Sequence, residues 1–97
     1  MVSKIKNNVS VSVGKKIKKV RKTVGLSGNE LGKLLGLSQQ QVSRYESGTS
    51  AITIDILIRI SNALNVSVNE LIIDYLNYEY DGISIKQHRY KAIINHK

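Results

Sequence analysis

Three absences narrow what this chain can be. Its 97 residues include no cysteine, which excludes disulfide bonds and thiolate metal sites and is typical of an intracellular protein. They include no proline, so helices must end at glycine, asparagine or capping side chains. No apolar run approaches the roughly 20 residues that a membrane span needs, and the N-terminal MVSKIKNNVSVSV lacks the apolar segment of a signal peptide. We therefore expect a soluble, cytoplasmic protein with no membrane partner.

Catalytic and metal-binding patterns are also missing. His88 and His96 lie alone near the C-terminus, without the cysteine or carboxylate spacing of a zinc site. The sequence has no glycine-rich phosphate loop, no serine, histidine and carboxylate arrangement for nucleophilic catalysis, and no carboxylate pair suited to a cleft. We therefore predict that the protein is not an enzyme and needs no metal or other cofactor. No small-molecule ligand is evident in its sequence.

Positive charge is in excess, and the whole excess lies in one half of the chain. The 15 Lys and Arg residues against 7 Asp and Glu residues give a net charge of +8. Residues 1–50 hold ten basic and two acidic side chains, whereas residues 51–97 hold five of each. This asymmetry favours a polyanionic partner, with nucleic acid ahead of an anionic membrane surface, over a charge excess that serves only solubility.

Apolar residues at helical spacing, together with capping residues, predict five helices and an all-α fold. Serine or threonine stands at each predicted N-cap, at Ser12, Ser27, Ser38, Thr53 and Ser67. The helices predicted after these caps run over about 13–24, 28–36, 39–47, 54–64 and 68–77. Glu30 follows Ser27 by three residues, which completes a capping-box pattern.

The segments on either side of these helices fit more than one structure. Residues 1–11, an N-terminal arm, alternate valine with polar residues and fit a short strand, a frayed helix start or disorder. Residues 12–74 form the predicted helical domain. In the C-terminal extension, residues 75–97, Asp81-Gly82 between NYEY and ISIK fits a β-hairpin with a type I′ turn. Residues 86–95 fit a short helix equally well, and a disordered tail is the third interpretation.

The second and third predicted helices are joined only by Gly36-Leu37-Ser38, so they must cross at a steep angle. We expect Gly32 on the inner face of helix 2, where it lets helix 3 approach closely, and a left-handed turn at Gly36. Val42 and Tyr45 are predicted to face the core from helix 3. Together, these four residue types at these spacings indicate two closely crossing helices much more specifically than any one of them does.

With these residues in place, the sequence from about Val13 to Ile73 resembles the helix-turn-helix domains of phage repressors and Cro, the XRE family. The resemblance runs without a gap through GLSGNELGKLLGLSQQQVSRYESG and TIDILIRISNALNVSVNELI. It implies a lambda-repressor-like five-helix bundle that binds double-stranded DNA, and hence a transcriptional regulator associated with the nucleoid. Gly28 departs from a glutamine that often contacts phosphate in the family, and Ile52 departs from a frequent proline. The segment LSQQQVSRYESG more narrowly resembles regulators of fimbrial operons in enteric bacteria.

The outward face of helix 3 carries amides where charges are more usual. With its apolar positions turned inward, this helix presents Gln39, Gln40 and Arg44, with Gln41 at the margin. A glutamine amide offers one donor and one acceptor, which match N6 and N7 of adenine, and arginine matches O6 and N7 of guanine. The family resemblance likewise implies base contacts at Gln39, Gln40 and Arg44, with the helix in the major groove. A merely solvated row of glutamines is the alternative.

Polar residues around helix 3 are candidates for phosphate contacts, which anchor a protein without selecting sequence. The candidates are Lys15, Lys16, Lys18, Lys19, Ser27, Asn29, Ser43, Ser47, Thr49 and Ser50. The N-terminal amides of helix 2 add donors and a positive dipole end. Arg21 and Glu46 stand apart, because the family resemblance implies that they form a buried structural ion pair.

A single recognition helix contacts few base pairs, so we expect a homodimer on a palindromic site. Helix 4 carries more apolar residues than a core-facing stripe requires. They are Ile52, Ile54, Ile56, Leu57, Ile58 and Ile60. We expect a second subunit or the C-terminal extension to cover the surplus, and the extension to contribute to dimerisation. The alternative function is a protein-interaction module, either an antitoxin whose tail binds a toxin or an adaptor between transcription proteins.

Overall fold

The computed structural model describes the backbone of residues 2–82 and the side chains of residues 9–78. Five α-helices follow one another in this part of the chain, which contains no strand. They are α1 (Val2–Thr23), α2 (Gly28–Leu35), α3 (Gln39–Ser47), α4 (Ile54–Leu64) and α5 (Val68–Gly82). The predicted all-α class is confirmed.

Local capping chemistry explains the bounds of α2, α3 and α4, which agree with the sequence prediction. The hydroxyls of Ser27, Ser38 and Thr53 each accept a hydrogen bond from the backbone N–H three residues on, at 3.0, 3.1 and 3.2 Å. Gly36 and Gly48 end α2 and α3 with φ of 72° and 80°, in the left-handed region that side chains disfavour. The caps and stops are thus set by residues within one turn of each helix end.

The start of α1 differs from the prediction, because the helix begins at Val2 and Ser12 lies inside it without acting as a cap. Val9, Val13 and Ile17 recur every fourth residue, which continues the helical stripe towards the N-terminus. No proline interrupts the backbone hydrogen bonds of this segment. Of the three interpretations of the N-terminal arm, the structure therefore shows the helical one over residues 2–11.

The end of α5 also differs, because the helix extends to Gly82 and contradicts the first half of the predicted hairpin. Residues 77–80, expected as a strand, and Asp81-Gly82, expected as its turn, all continue the helix. Once a helix has started, each added residue gains a backbone hydrogen bond, and this gain outweighs an alternation of only four residues. The second half of the hairpin and the alternative helix over 86–95 lie outside the described residues.

One apolar cluster joins the helices and determines which surfaces remain outside. Its most deeply buried members, each at most 2% exposed, are Ile17, Leu31, Leu35, Val42, Ile60, Leu64 and Leu71. Burying a side chain of this size stabilises the fold by roughly 1.5–3 kcal/mol. α1 packs against both α3 and α5, while α2 packs against α3 and α4. Therefore α3 is held from two sides and keeps one face outward.

The described helices include none that is long and apolar enough on its own to cross a membrane. α4 together with residues 68–78 of α5 reaches the required length and composition only as a pair bent by 116°. Both members of this pair bury side chains in the core, at Ile60, Leu64 and Leu71.

Candidate nucleic-acid interface

α3 divides its side chains clearly between core and solvent. Val42 and Tyr45, at 2% and 9% exposure, face the core at the two positions for which this was expected. The outward side chains are Gln39, Gln40, Ser43 and Arg44, with Gln41 half-buried beside them. This face combines amide, hydroxyl and guanidinium groups, which can match the donors and acceptors on base edges.

The turn between α2 and α3 depends on Gly32. A Cβ on Gly32 would lie 2.6 Å from the carbonyl oxygen of Leu37, closer than Cβ atoms approach in real proteins. The Leu37 N–H donates to the Gly32 carbonyl oxygen at 2.8 Å, so the two backbones are in direct contact. Gly32 therefore makes room for the turn that leads into α3, and the body of α3 lies beyond that turn.

Arg21 of α1 and Glu46 of α3, the predicted structural pair, lie in contact below the surface. Nε and Nη2 of Arg21 donate to the two carboxylate oxygens of Glu46 at 2.6 and 3.0 Å, and Nη1 donates to the Leu26 carbonyl oxygen at 2.9 Å. The two residues are 8% and 9% exposed. The hydrogen bond to Glu46 raises the pKa of Arg21, burial lowers it, and Coulomb attraction raises it again, for a net increase. The charged, bidentate pair thus fixes α3 to α1.

The start of α2 is a capping box that lies beside the start of α3. The Ser27 hydroxyl accepts from the Glu30 N–H at 3.0 Å, and the Glu30 carboxylate accepts from the Ser27 N–H at 2.8 Å. The backbone hydrogen bond, followed by the side-chain one, lowers the pKa of Glu30. A Cβ on Gly28 would lie 3.7 Å from Cγ of Gln39, so the two helix starts share one surface. The exposed Asn29 amide lies in this same first turn of α2.

The hydroxyls of Ser47, the last residue of α3, and of Thr49 just after it contact the backbone at the end of that helix. Ser47 Oγ and Thr49 Oγ1 lie 3.2 and 3.3 Å from the Arg44 carbonyl oxygen and can donate to it, and they lie 3.0 Å from each other. The backbone N–H groups of Thr49 and Ser50 also donate to this carbonyl, at 3.0 and 3.3 Å. These groups provide donors for the Arg44 carbonyl oxygen at the end of α3. To donate to a phosphate instead, either hydroxyl has to rotate away from this carbonyl.

The lysines of α1 do not share one face. Lys18 comes four residues after Gly14 and three before Arg21, which places it on the flank that contacts α3. Lys15 and Lys19 line a groove between α1 and α5. Of these three candidates for phosphate contacts, only Lys18 lies on the flank of the recognition helix.

Lys16 is engaged on the opposite flank. Its Nζ lies 3.4 Å from Oε2 of Glu70 and 3.4 Å from Oδ2 of Asp74, both on α5. Burial lowers the pKa of Lys16, but the hydrogen bonds and charges of Asp74 and Glu70 raise it further, so the net shift is upward. Lys16 therefore has two acidic partners within the fold that the sequence alone did not reveal, and its phosphate contact stays a prediction.

Glycines determine how closely α1 approaches α3. A Cβ on Gly14, which the sequence analysis missed, would lie 2.3 and 2.6 Å from the carbonyl oxygens of Tyr45 and Glu46. A Cβ on Gly48, which ends α3, would lie 2.7 Å from Cγ2 of Val11. In the sequence, the only sign of the contact at Gly14 is a glycine inside a helical pattern. The structure is needed to show which backbone atoms of another helix it meets.

A family model described as helix-turn-helix, HTH_3, matches residues 17–71 of the chain. The chain is 37% identical over 60 residues to the antitoxin PezA of Streptococcus pneumoniae serotype 4, a match that covers 62% of this chain and 38% of PezA. It is 38% identical over 63 residues to an uncharacterized HTH-type transcriptional regulator of Sinorhizobium medicae, covering 65% of this chain and 45% of that protein. The chain thus spans less than half of the length of these relatives.

Solved structures share the same helical arrangement. The restriction-modification controller protein C.AhdI from Aeromonas hydrophila is 28% identical with a TM-score of 0.61, and the match covers 63% of this chain and 92% of that one. The P22 c2 repressor protein, solved in complex with a synthetic operator, is 28% identical with a TM-score of 0.58, covering 62% and 91%. The hydroxypropylphosphonic acid epoxidase from S. wedmorenis is 27% identical with a TM-score of 0.64, covering 68% of this chain but 35% of the epoxidase.

Proposed function

This chain belongs to the helix-turn-helix family HTH_3, the XRE family, and on that premise we propose that it is a sequence-specific DNA-binding transcriptional regulator. Relatives named as HTH-type transcriptional regulators and the operator complex of the P22 c2 repressor support the proposal. The likeness to the epoxidase is limited to 35% of that enzyme, so it gives no support for catalysis by this chain. Repression and activation are both compatible with this mode of DNA binding.

The observation that carries the proposal is the outward face of α3. Gln39, Gln40 and Arg44 are exposed while the same helix is fixed from behind by its buried residues. In a major groove, each glutamine amide can donate to N7 and accept from N6 of adenine. Arg44 can donate to O6 and N7 of guanine. Gln41, half-buried at the margin, is assigned to the edge of this contact. A face of this chemistry selects base sequence, whereas a face of lysines alone would select only phosphate.

Phosphate contacts flank this face in the proposed complex. Lys18 on the α3 flank of α1 and the start of α2, with Ser27 and Asn29, are the principal anchors. Ser43 on α3 and the hydroxyls after it, from Ser47 to Ser50, add weaker ones. Lys15 and Lys19 are secondary, because both line the groove on the α5 side of α1.

We further propose that the protein binds a palindromic operator as a homodimer. Ile54 and Ile58 of α4, at 78% and 46% exposure, lie one turn apart and form an uncovered apolar strip. Pairing of two such strips would remove them from water and set two α3 helices at half-sites about 34 Å apart. Cytoplasmic location on the nucleoid and control of a fimbrial operon follow from the family resemblance and stay predictions.

Selection of binding sites from random duplexes, followed by binding assays on the selected operator, tests this function. Gln40→Ala is expected to weaken binding to the operator by about 1–3 kcal/mol while leaving binding to random DNA unchanged. Lys18→Ala is the matched comparison and should weaken both, with the salt dependence of binding reduced by about one unit of slope.

The same assays can also contradict the proposed function. Equal loss on operator and random DNA for Gln40→Ala would remove its role in base recognition, and failure to select any sequence would remove the function itself. Sedimentation of the complex with the selected operator measures stoichiometry. Two chains on a palindrome are expected, and one chain on a site without symmetry would contradict the dimer.

A second function, an antitoxin or an adaptor that binds a partner protein, is favoured by the 37% identity to PezA. DNA binding by α3 and partner binding by another surface are compatible in such a protein. Purification of the native complex separates the two functions, because an antitoxin is expected to bring a partner protein in stoichiometric amount. A purified chain without such a partner would favour the simple regulator.

A further inference from the structure

A groove between α1 and α5 has the size of a small-molecule site. Its volume is about 360 Å³. Its walls include Val11, Ser12, Lys15 and Lys19 from α1 and Tyr75 and Tyr78 from α5. A second hollow of about 300 Å³ shares Lys19 with it and continues towards Thr23 and Val66. Both volumes fall at the lower end of the range that is usual for sites binding small molecules.

The groove opens away from α3. Successive residues of an α-helix are about 100° apart around its axis. Gly14 and Arg21 contact α3, and Ser12 and Lys19 are each two residues away from one of them, so they point about 200° round the helix. The groove therefore lies mainly on the flank of α1 away from α3, with Val11, which also contacts Gly48 at the end of α3, at its near edge. A molecule bound there would leave the outward face of α3 free.

The lysines around this groove differ in whether their charge is matched. Lys16 lies at the junction of the two hollows, where its one positive charge pairs with two carboxylates, Glu70 and Asp74, each at 3.4 Å, so these three side chains carry a net charge of −1. Lys15 and Lys19 are exposed, and neither forms an ion pair with any side chain of residues 9–78. Lysine stems commonly lie along apolar surface and keep the ammonium group in water. The groove thus combines an apolar wall with two cations at its rim that pair with no side chain of residues 9–78.

We propose that this groove binds a small amphipathic anion, with an aromatic or aliphatic body and one carboxylate, sulfonate or phosphate group. The body packs between Val11 and the rings of Tyr75 and Tyr78. The anionic group lies between Lys15 and Lys19, which are four residues apart and hence neighbours on the helix surface. This site does not depend on the DNA-binding function, although it shares with it Lys15 and Lys19, the secondary phosphate anchors of the proposed DNA complex.

The charge of residues 83–97 favours an external anion over an occupant from this segment. Residues 83–97 contain four lysine or arginine residues, no aspartate and no glutamate. Like charges repel at short range, so this segment is a poor match for a rim formed by Lys15 and Lys19. An anion of opposite charge is the better complement.

Titration of the full chain with 8-anilinonaphthalene-1-sulfonate, followed by its fluorescence, tests the proposal. We expect saturable binding at one site, weakened by added salt because the rim is exposed. The neutral N-phenyl-1-naphthylamine, which has the same rings without the sulfonate, should bind more weakly. The double variant K15Q/K19Q should lose affinity for the sulfonate by about tenfold, since two exposed charge contacts together contribute on the order of 1.4 kcal/mol.

The matched control is K22Q/K33Q, which removes the same net charge at lysines outside the groove and should leave sulfonate binding unchanged. Amide chemical shifts in the intact chain locate the probe, and changes are expected within residues 11–19 and 70–78. Equal losses in both double variants would overturn the proposal, and so would absence of saturable binding. It would also be overturned by equally tight binding of the neutral probe, or by shifts centred on Ile54 and Ile58, an exposed apolar surface outside the groove.

Discussion

The two flanks of α1 hold their neighbouring helices by different means. Towards α3, Arg21 makes two short hydrogen bonds to Glu46, and both residues are buried. Towards α5, the Lys16 side chain is 12% exposed, about as buried as that of Arg21, but it lies 3.4 Å from Glu70 and from Asp74, whose side chains are 51% and 58% exposed. Both flanks contain ion pairs, but only the first has short bidentate geometry below the surface.

The difference shows that an ion pair between helices contributes differently to the free energy of folding depending on how deeply its members are buried. At an exposed site the charges remain hydrated whether or not they are paired, so pairing changes the free energy little. At a buried site each charge depends on its partner, because water cannot replace it. The buried ion pair therefore fixes α3 to α1, whereas α5 is held to α1 chiefly by apolar packing, to which the buried Leu71 contributes.

The largest effect is expected from breaking the buried pair. Arg21→Met or Glu46→Leu alone should lower the free energy of unfolding by about 3 kcal/mol, because each leaves a lone buried charge. The double variant should lose less than either single variant. Urea denaturation followed by circular dichroism measures all three, and Lys16→Met provides the comparison on the other flank, with a much smaller change.

Two results would erase this contrast between the flanks. One is a strictly additive double variant, which would mean that Arg21 and Glu46 act independently. The other is a loss for Lys16→Met as large as that for Arg21→Met, which would mean that depth does not separate the two ion pairs.

A smaller effect is expected from adding a methyl group at Gly14, where α1 contacts the backbone of α3. Gly14→Ala should destabilise the fold by about 1–3 kcal/mol, because the new Cβ would meet the carbonyl oxygens of Tyr45 and Glu46 at 2.3 and 2.6 Å. Helix propensity alone would give the opposite sign. Ser12→Ala, on the groove side of the same helix, is the control and should be neutral or slightly stabilising.

Thermal unfolding of both variants checks this prediction. A Gly14→Ala protein as stable as the parent would show that α1 can move away from α3 without cost. The close approach of the two backbones would then not be what holds that flank together.

The smallest effect is expected from a charge that is exposed but geometrically fixed. The backbone and side chain of Ser27 lower the pKa of Glu30 below its ordinary value of 4.5. A carboxyl group whose pKa is lower in the folded state stabilises the fold above its unfolded pKa, and that contribution is lost as pH falls through the folded value. Stability should therefore decline slightly more steeply below pH 4.5 in the parent than in Glu30→Gln. Melting temperatures measured across this range test it, and parallel curves would contradict it.

Helix bounds were predictable from sequence where local chemistry determines them. Ser27, Ser38 and Thr53 cap the helices that follow, and Gly36 and Gly48 end the helices before them, since each acts within one turn. The family resemblance added the five-helix arrangement.

The outer ends of the fold were not predictable in this way. Near Val9 and Val13, spacings of two and of four residues are both present, and only the packed helix distinguishes them. At Asp81-Gly82, a turn signal lies in a chain that is already helical, and the helix continues.

Within the candidate site, outward and inward positions of α3 followed from period alone, so Gln40 and Val42 could be assigned before the fold was known. The role of Gly14 could not, because its neighbours are backbone atoms of residues 45 and 46 on another helix. Lys16 is the corresponding case for charge. It is one of four lysines among residues 15–19, which gave it no distinguishing signal, and its acidic partners are 54 and 58 residues further along the chain.

The division of α3 into two faces also has an evolutionary consequence. Gln39, Gln40, Ser43 and Arg44 are exposed and contribute no side chain to the apolar cluster. Under the proposed function, substitutions at these positions would alter the preferred operator while the scaffold keeps its stability. A duplicated copy of such a gene can therefore acquire a new set of targets by drift on one helix face, without passing through an unfolded intermediate.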